Sequence, residues 1–109
     1  MAPEQFLANW RDFGPWTDLY ALGCMAFMLA TGAQPFHGAT PLEVARGHLY
    51  DPPPSIVSRF ALPTAFEAFV ARLLAKEPSD RFQRAADAAW ALRNIDDAHR
   101  RAIGQRREI

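Results

Sequence analysis

The side chains best able to hold a transition metal or attack an electrophile are three histidines and one cysteine, and their spacing serves neither task. His37, His48 and His99 lack the short mutual intervals of a zinc site, and Cys24 has no second cysteine to ligate beside or to bridge with. Its apolar neighbours predict a reduced, buried thiol of a cytoplasmic protein rather than a reactive one. No glycine-rich run that would cradle a phosphate is present. Arg100, Arg101, Arg106 and Arg107 make a basic end, yet 12 basic and 12 acidic side chains leave a net charge of +0. No global field recruits nucleic acid or an anionic membrane, and these arginines are expected to be solvated. Taken singly, Glu4 and Arg81 also read as solvated charges. Asp18 reads as a carboxylate placed where a helix dipole favours it.

The elements that must position these groups are helical. A chain of 109 residues is one domain at most, and at that size it buries only about 60 to 70 % of its unfolded surface. Hydrophobic content of 50 % and aromatic content of 12 % predict a packed globular piece with disorder confined to its ends. The most apolar stretch, Leu19 to Ala30, is far shorter than the roughly 20 residues that span a bilayer, so it is expected to be a core helix. No basic-then-apolar leader opens the sequence, so no secretory signal is expected.

Residues 8 to 16 read as a loop around Gly14 and Pro15. Thr17 is the expected N-cap of the first long helix, in which Leu19, Leu22, Met25, Ala26 and Leu29 form one apolar face and Tyr20, Gly23, Phe27 and Ala30 another. Such a helix needs cover all round, and so short a chain has little to supply it. Gly32 is its expected stop. Thr40-Pro41-Leu42-Glu43 predicts a capped short helix to about Arg46, closed by Gly47. The prolines of Asp51-Pro52-Pro53-Pro54-Ser55 predict a stiff extended connector. A second capping box, Thr64 with Glu67, opens a helix in which Phe66, Phe69, Val70, Leu73 and Leu74 share a face, and Pro78 ends it. A last helix from about Arg84 carries Ala85, Ala88, Ala89, Leu92 and Ile95 as its buried stripe, flanked by Trp90, and frays beyond Ile95. The expected fold is therefore all-α, with four main helices joined by Pro/Gly-rich loops.

Five motifs add a family to this outline. Met1-Ala2-Pro3-Glu4-Gln5, Thr17-Asp18-Leu19-Tyr20-Ala21-Leu22-Gly23, Thr31-Gly32-Ala33-Gln34-Pro35-Phe36, Leu73-Leu74-Ala75-Lys76-Glu77-Pro78 and Arg81 occur in that order. Together they resemble the C-terminal lobe of bacterial serine/threonine kinases of the eukaryotic-like type, from the Ala-Pro-Glu tripeptide that closes the activation segment to the last helix. The resemblance implies a partial protein kinase domain over residues 1–95, followed by a basic C-terminal tail over 96–109. It implies that Ala2, Pro3 and Glu4 end the activation segment and that Glu4 and Arg81 form a buried ion pair. It also makes Asp18 and Gly23 scaffold residues of the central helix, and puts Trp10, Phe13, Leu42 and Val44 where kinases meet peptide substrates or docking partners.

The parent reaction implied is ATP-dependent phosphorylation of protein serine or threonine, with ATP and Mg as the cofactors of the complete domain. None of the catalytic motifs occurs in these 109 residues. The chain alone is thus expected to bind no cofactor and to be inactive, with Asp18 facing solvent or a neighbouring chain and Gly23 allowing close packing. Expected partners are a protein substrate or partner domain, the missing kinase lobe, or a second copy through exposed apolar surface, with no nucleic acid and no membrane span. Two rival readings remain: a non-catalytic helical interaction module and a truncated product without function. Phe82 and Arg84 depart from the family pattern, and Arg84 predicts a loosely started last helix because it offers no capping acceptor.

Overall fold

The computed structural model describes residues 1–57 and 62–107, and among those residues the regular structure is entirely helical. The side chains of His99, Ala102 and residues 105–107 lie outside that description, as do residues 108 and 109 of the expected tail. One short turn, α1 (Pro3–Phe6), is followed by α2 (Pro15–Thr31), α3 (Pro41–Tyr50), α4 (Thr64–Leu73) and α5 (Ala85–Arg107). Two 3-10 turns, Trp10–Asp12 and Pro78–Asp80, lie in the connections.

Local chemistry explains where these boundaries differ from the expected ones. The sequence outline omits α1; Pro3 opens it, and the Gln5 side chain accepts a hydrogen bond from the Ala2 N–H at 2.8 Å. Helix α2 starts at Pro15 with Gly14 at the cap, so Thr17 stands inside the first turn rather than before it. Its left-handed terminator is Gly32, at φ 82, a conformation that only glycine adopts without strain. Helix α3 runs past Gly47 to Tyr50. Gly47 is an approach point instead of a stop, because a Cβ there would lie 2.9 Å from Phe36 Cβ.

Glu67 completes no box with Thr64; its Oε1 accepts the Ile56 N–H at 3.2 Å and so ties the proline connector to α4. At the start of α5, Arg84 Nε and Nη2 each reach an Asp87 carboxylate oxygen at 3.0 Å. The acid in the first turn of α5 thereby offsets the cation that the sequence pattern counts against this helix start. The helix then continues to Arg107 rather than fraying beyond Ile95.

The core is the meeting of α2, α4 and the start of α5. Leu19, Tyr20 and Phe27 of α2 pack with Phe69, Val70 and Leu73 of α4, with Leu74, Phe82 and Ala88 closing the cluster. Along α5 the buried stripe is Ala88, Ala91 and Ile95, while Ala85, Ala89 and Leu92 are exposed. The stripe is narrower than expected because only the first half of α5 has a partner to lie against. The molecule is a slab of 54 × 30 × 16 Å with a radius of gyration of 15.5 Å, against about 13 Å for a compact domain of this length. Its exposed area of 7471 Å² exceeds the about 6,100 Å² typical of the mass. A slab 16 Å thick covers α2 on one face only.

Candidate functional site

The most developed polar constellation sits where α1, the start of α2 and the Pro78–Asp80 turn converge. Glu4 and Arg81 are both buried, at 3 % and 1 % exposure. Their pairing is bidentate, with Arg81 Nη1 donating to Glu4 Oε2 at 2.7 Å and Nη2 to Oε1 at 2.9 Å. The three remaining guanidinium N–H groups are aimed at backbone carbonyls. Nε donates to Ala75 O at 2.7 Å, Nη1 to Trp16 O at 3.2 Å and Nη2 to Lys76 O at 3.1 Å. All five donors of the fork are thus used, a geometry that a lysine ammonium cannot reproduce. The Tyr20 ring lies 4.8 Å from the guanidinium carbon.

Thr17 is the third member of this node. Its hydroxyl donates to Glu4 Oε2 at 2.8 Å and accepts from the Gly14 N–H at 3.1 Å, so one side chain joins the start of α2 to α1. Burial alone would raise the Glu4 carboxyl, but bonds from Arg81, its own backbone and Thr17 outweigh it and hold the group below the usual carboxylate range. Among the described residues no buried side-chain nitrogen or oxygen lacks a partner. The sequence pattern suggested the pair; Thr17 was legible only as a cap, because nothing in its neighbours points back to Glu4.

A second constellation has no counterpart in the sequence outline. His48 is buried on α3 and shares a 2.8 Å hydrogen bond through Nδ1 with the Tyr20 hydroxyl. Phe6 stacks on its ring at 5.6 Å between centroids, and Phe36 meets it edge-on at 4.9 Å. Burial, with the charges of the N-terminus and Lys76, lowers the imidazole to about 4. Burial likewise raises the Tyr20 phenol and the Cys24 thiol, so neither is poised to ionise near neutrality. His48, Tyr20, Phe6 and Phe36 sit apart in sequence and share no spacing rule, which is why only the fold brings them together.

No family model matches the chain. Individual proteins do. It is 44 % identical over 91 residues to the serine/threonine-protein kinase PknF of Mycobacterium tuberculosis, covering 84 % of this chain and 19 % of that protein. It is 45 % identical over 87 residues to the serine/threonine-protein kinase PksC of Streptomyces coelicolor, covering 78 % of this chain and 15 % of that one. For PknJ of Mycobacterium tuberculosis the identity is 43 % over 93 residues, covering 83 % and 15 %. The chain belongs with the bacterial serine/threonine protein kinases, as a C-lobe segment. It spans 19 % or less of the length of these three curated relatives.

In this kinase segment Ala2, Pro3 and Glu4 are buried at the entry to α1, against Arg81. Asp18 is exposed on the first turn of α2. Gly23 faces α4, where a Cβ would come within 2.8 Å of Leu73 Cβ, so the glycine sets the spacing between the two helices. Trp10 and Leu42 are 71 % and 64 % exposed, Phe13 is exposed and Val44 half-buried. No helix among the described residues is long and apolar enough to cross a membrane.

Proposed function

We propose that this chain is the scaffold portion of a serine/threonine kinase domain, holding the end of the activation segment against the central helix while ATP-dependent phosphorylation of protein hydroxyls is carried out with catalytic groups outside these 109 residues. The Glu4–Arg81–Thr17 node supports this reading, since it fixes the Ala2-Pro3-Glu4 turn to α2 and to the Pro78–Asp80 turn at once. ATP and magnesium would be held by the lysine, aspartate and metal ligands of the remaining domain. The setting would be cytoplasmic, with a protein substrate or partner domain meeting Trp10, Phe13, Leu42 and Val44.

The rival reading is a helical interaction module without catalysis, and the exposure of Trp10 and Leu42 favours it. Two experiments separate them. The purified chain should show no saturable Mg-ATP binding by calorimetry and no radiolabel transfer; saturable binding at micromolar nucleotide would overturn the scaffold reading. A chimera in which this chain replaces the matching 91 residues of Mycobacterium tuberculosis PknF should retain phosphoryl transfer. A folded chimera that binds nucleotide yet transfers nothing would favour the interaction module.

A further inference from the structure

Twelve side chains in this sequence are lysine or arginine, and only one of them, Lys76, is a lysine. It stands just beyond α4, half-buried, and Arg81 grips its backbone carbonyl from the node described above. Its Nζ donates to the Gly47 carbonyl at 3.0 Å and lies 4.2 Å from the centroid of the Phe36 ring. One ammonium therefore pins the middle of α3 to the loop before it and to the end of α4. The same residue lines an open cleft of about 400 Å³ between α1, the end of α3 and the Pro78–Asp80 turn.

The geometry points to Lys76 as an acyl-acceptor site, taking a short acyl chain from a neutral acyl thioester, and to its acylation as a switch that loosens α3. Leu7, Leu49 and Tyr50 supply apolar walls for the acyl chain. Asp12 and Glu77 line the cleft as well and disfavour an anionic donor such as an acyl phosphate. Burial lowers the ammonium to about 8, opposed by the Asp51 carboxylate and aided by Arg81, with the Cys24 thiol also within electrostatic reach. At pH 7 about a tenth of the amine is thus free, far more than an ordinary lysine of about 10.4 offers. His48 on α3 is neutral in that range and competes for no proton. Glu4, the remaining carboxylate of the cleft, is committed to Arg81.

The step balances without any redox partner. The Nζ lone pair attacks the thioester carbonyl carbon, a C–N bond forms, the C–S bond breaks, and the thiolate leaves while the nitrogen gives up its proton. The product is a neutral amide. It retains an N–H but loses the charge that strengthens the bond to Gly47 O and the attraction of the Phe36 ring.

The test treats the whole chain with S-acetyl-N-acetylcysteamine, a neutral thioester, and in parallel with acetyl phosphate, and follows acetylation by peptide mass spectrometry between pH 6 and 11. At pH 7.5 Lys76 should acetylate at least about tenfold faster in the folded chain than in urea, half-maximally near pH 8, and the thioester should outpace acetyl phosphate. The Lys76→Arg variant keeps the positive charge and should show only the background of the N-terminal amine. Hydrogen exchange at the amides of residues 47–50 should quicken about two- to fivefold after acetylation and in Lys76→Gln. Equal rates in the folded and unfolded chain, or a rate that climbs without levelling until pH 10, would show an ordinary surface amine and overturn the site. Faster reaction with acetyl phosphate would overturn the donor class, and unchanged exchange in the acetylated protein would overturn the switch.

Discussion

The two sides of α2 obey opposite rules. On one side Leu19, Tyr20, Phe27 and the hydroxyl of Thr17 are buried against α4 and the Glu4–Arg81 pair, with every donor of the guanidinium matched to an acceptor. On the other side Leu22, Met25, Met28 and Leu29 stand in solvent, the last at 74 % exposure. The helix is equally apolar on both sides, so composition does not decide which is covered. Position does: the buried side faces α4 and the start of α5 in a slab only 16 Å thick. An apolar stripe of this kind is an adhesive surface until something lies on it.

Breaking the node should rank with the largest effects. Glu4→Ala and Arg81→Ala each leave a buried charge uncompensated and should destabilise the chain by about 3 to 5 kcal/mol. The double variant should lose far less than the sum, with a coupling of about 0.5 to 3 kcal/mol, in a chemical denaturation cycle. Additive losses would mean that the two side chains do not meet in solution, and the buried side of α2 would lose its organising contact.

The apolar contrast can be measured within one helix. Phe27→Ala should cost about 3 to 5 kcal/mol, because Phe27 is 4 % exposed. Leu29→Ala should change stability by less than about 0.5 kcal/mol. The wild type should bind a hydrophobic dye or self-associate in light scattering, and Met25→Glu with Leu29→Glu should reduce both signals. Equal destabilisation by the two alanine variants would erase the distinction between the faces.

Acid should weaken the buried side in two stages. His48 has a folded pKa lowered to about 4 from 6.5, so the unfolded chain takes up the proton first. Stability is therefore full above about 6.5 and declines towards about 4, by about 1 to 3 kcal/mol. Glu4 is also lowered, from 4.5, so its contribution is present above that value and lost as pH falls further through its folded pKa. His48→Gln, which keeps a partner for the Tyr20 hydroxyl, should abolish the first decline and leave the second. Denaturation midpoints measured between pH 3 and 8 would show whether the stages separate.

The smallest expected effect lies at Ala8, just after α1, whose φ of 55 is left-handed. Ala8→Gly relieves that strain and should stabilise the chain by up to about 1 kcal/mol, provided the added freedom of the unfolded glycine does not offset it. A thermal melt compared with wild type is sufficient to read the sign.

The sequence made α2, α4 and α5 legible through apolar residues at helical period and α3 through its Thr40-Pro41 start; Gly32 closes α2 by backbone chemistry, whereas α4 ends at Leu73, ahead of the expected stop at Pro78, which opens the next 3-10 turn instead. It also made the Glu4–Arg81 pair legible, through ordered motifs rather than periodicity. What it hid were choices settled between elements. Gly47 has the local character of a stop, yet Phe36 needs its missing side chain for contact with α3. Arg84 looks like a poor start for α5 until Asp87 is seen turned back upon it. The buried stripe of α5 was overestimated because period shows which residues share a face, not how far along the helix a partner extends.

The node has one further property, set by where its members lie along the chain. Glu4 and Arg81 are 77 residues apart, so their contact closes α1 to α4 into a ring and leaves α5 outside it. Closing a ring that long is entropically slow to arrange, and the local turns of α2 and α4 form well before it. The contact belongs on the native side of the folding barrier. Its loss through a mild change such as Arg81→Lys should accelerate unfolding while leaving the refolding rate nearly unchanged, a pattern that stopped-flow refolding and unfolding arms would display directly. On that account the buried pair acts as a latch on lifetime: the helices find one another without it, and it determines how long they stay together.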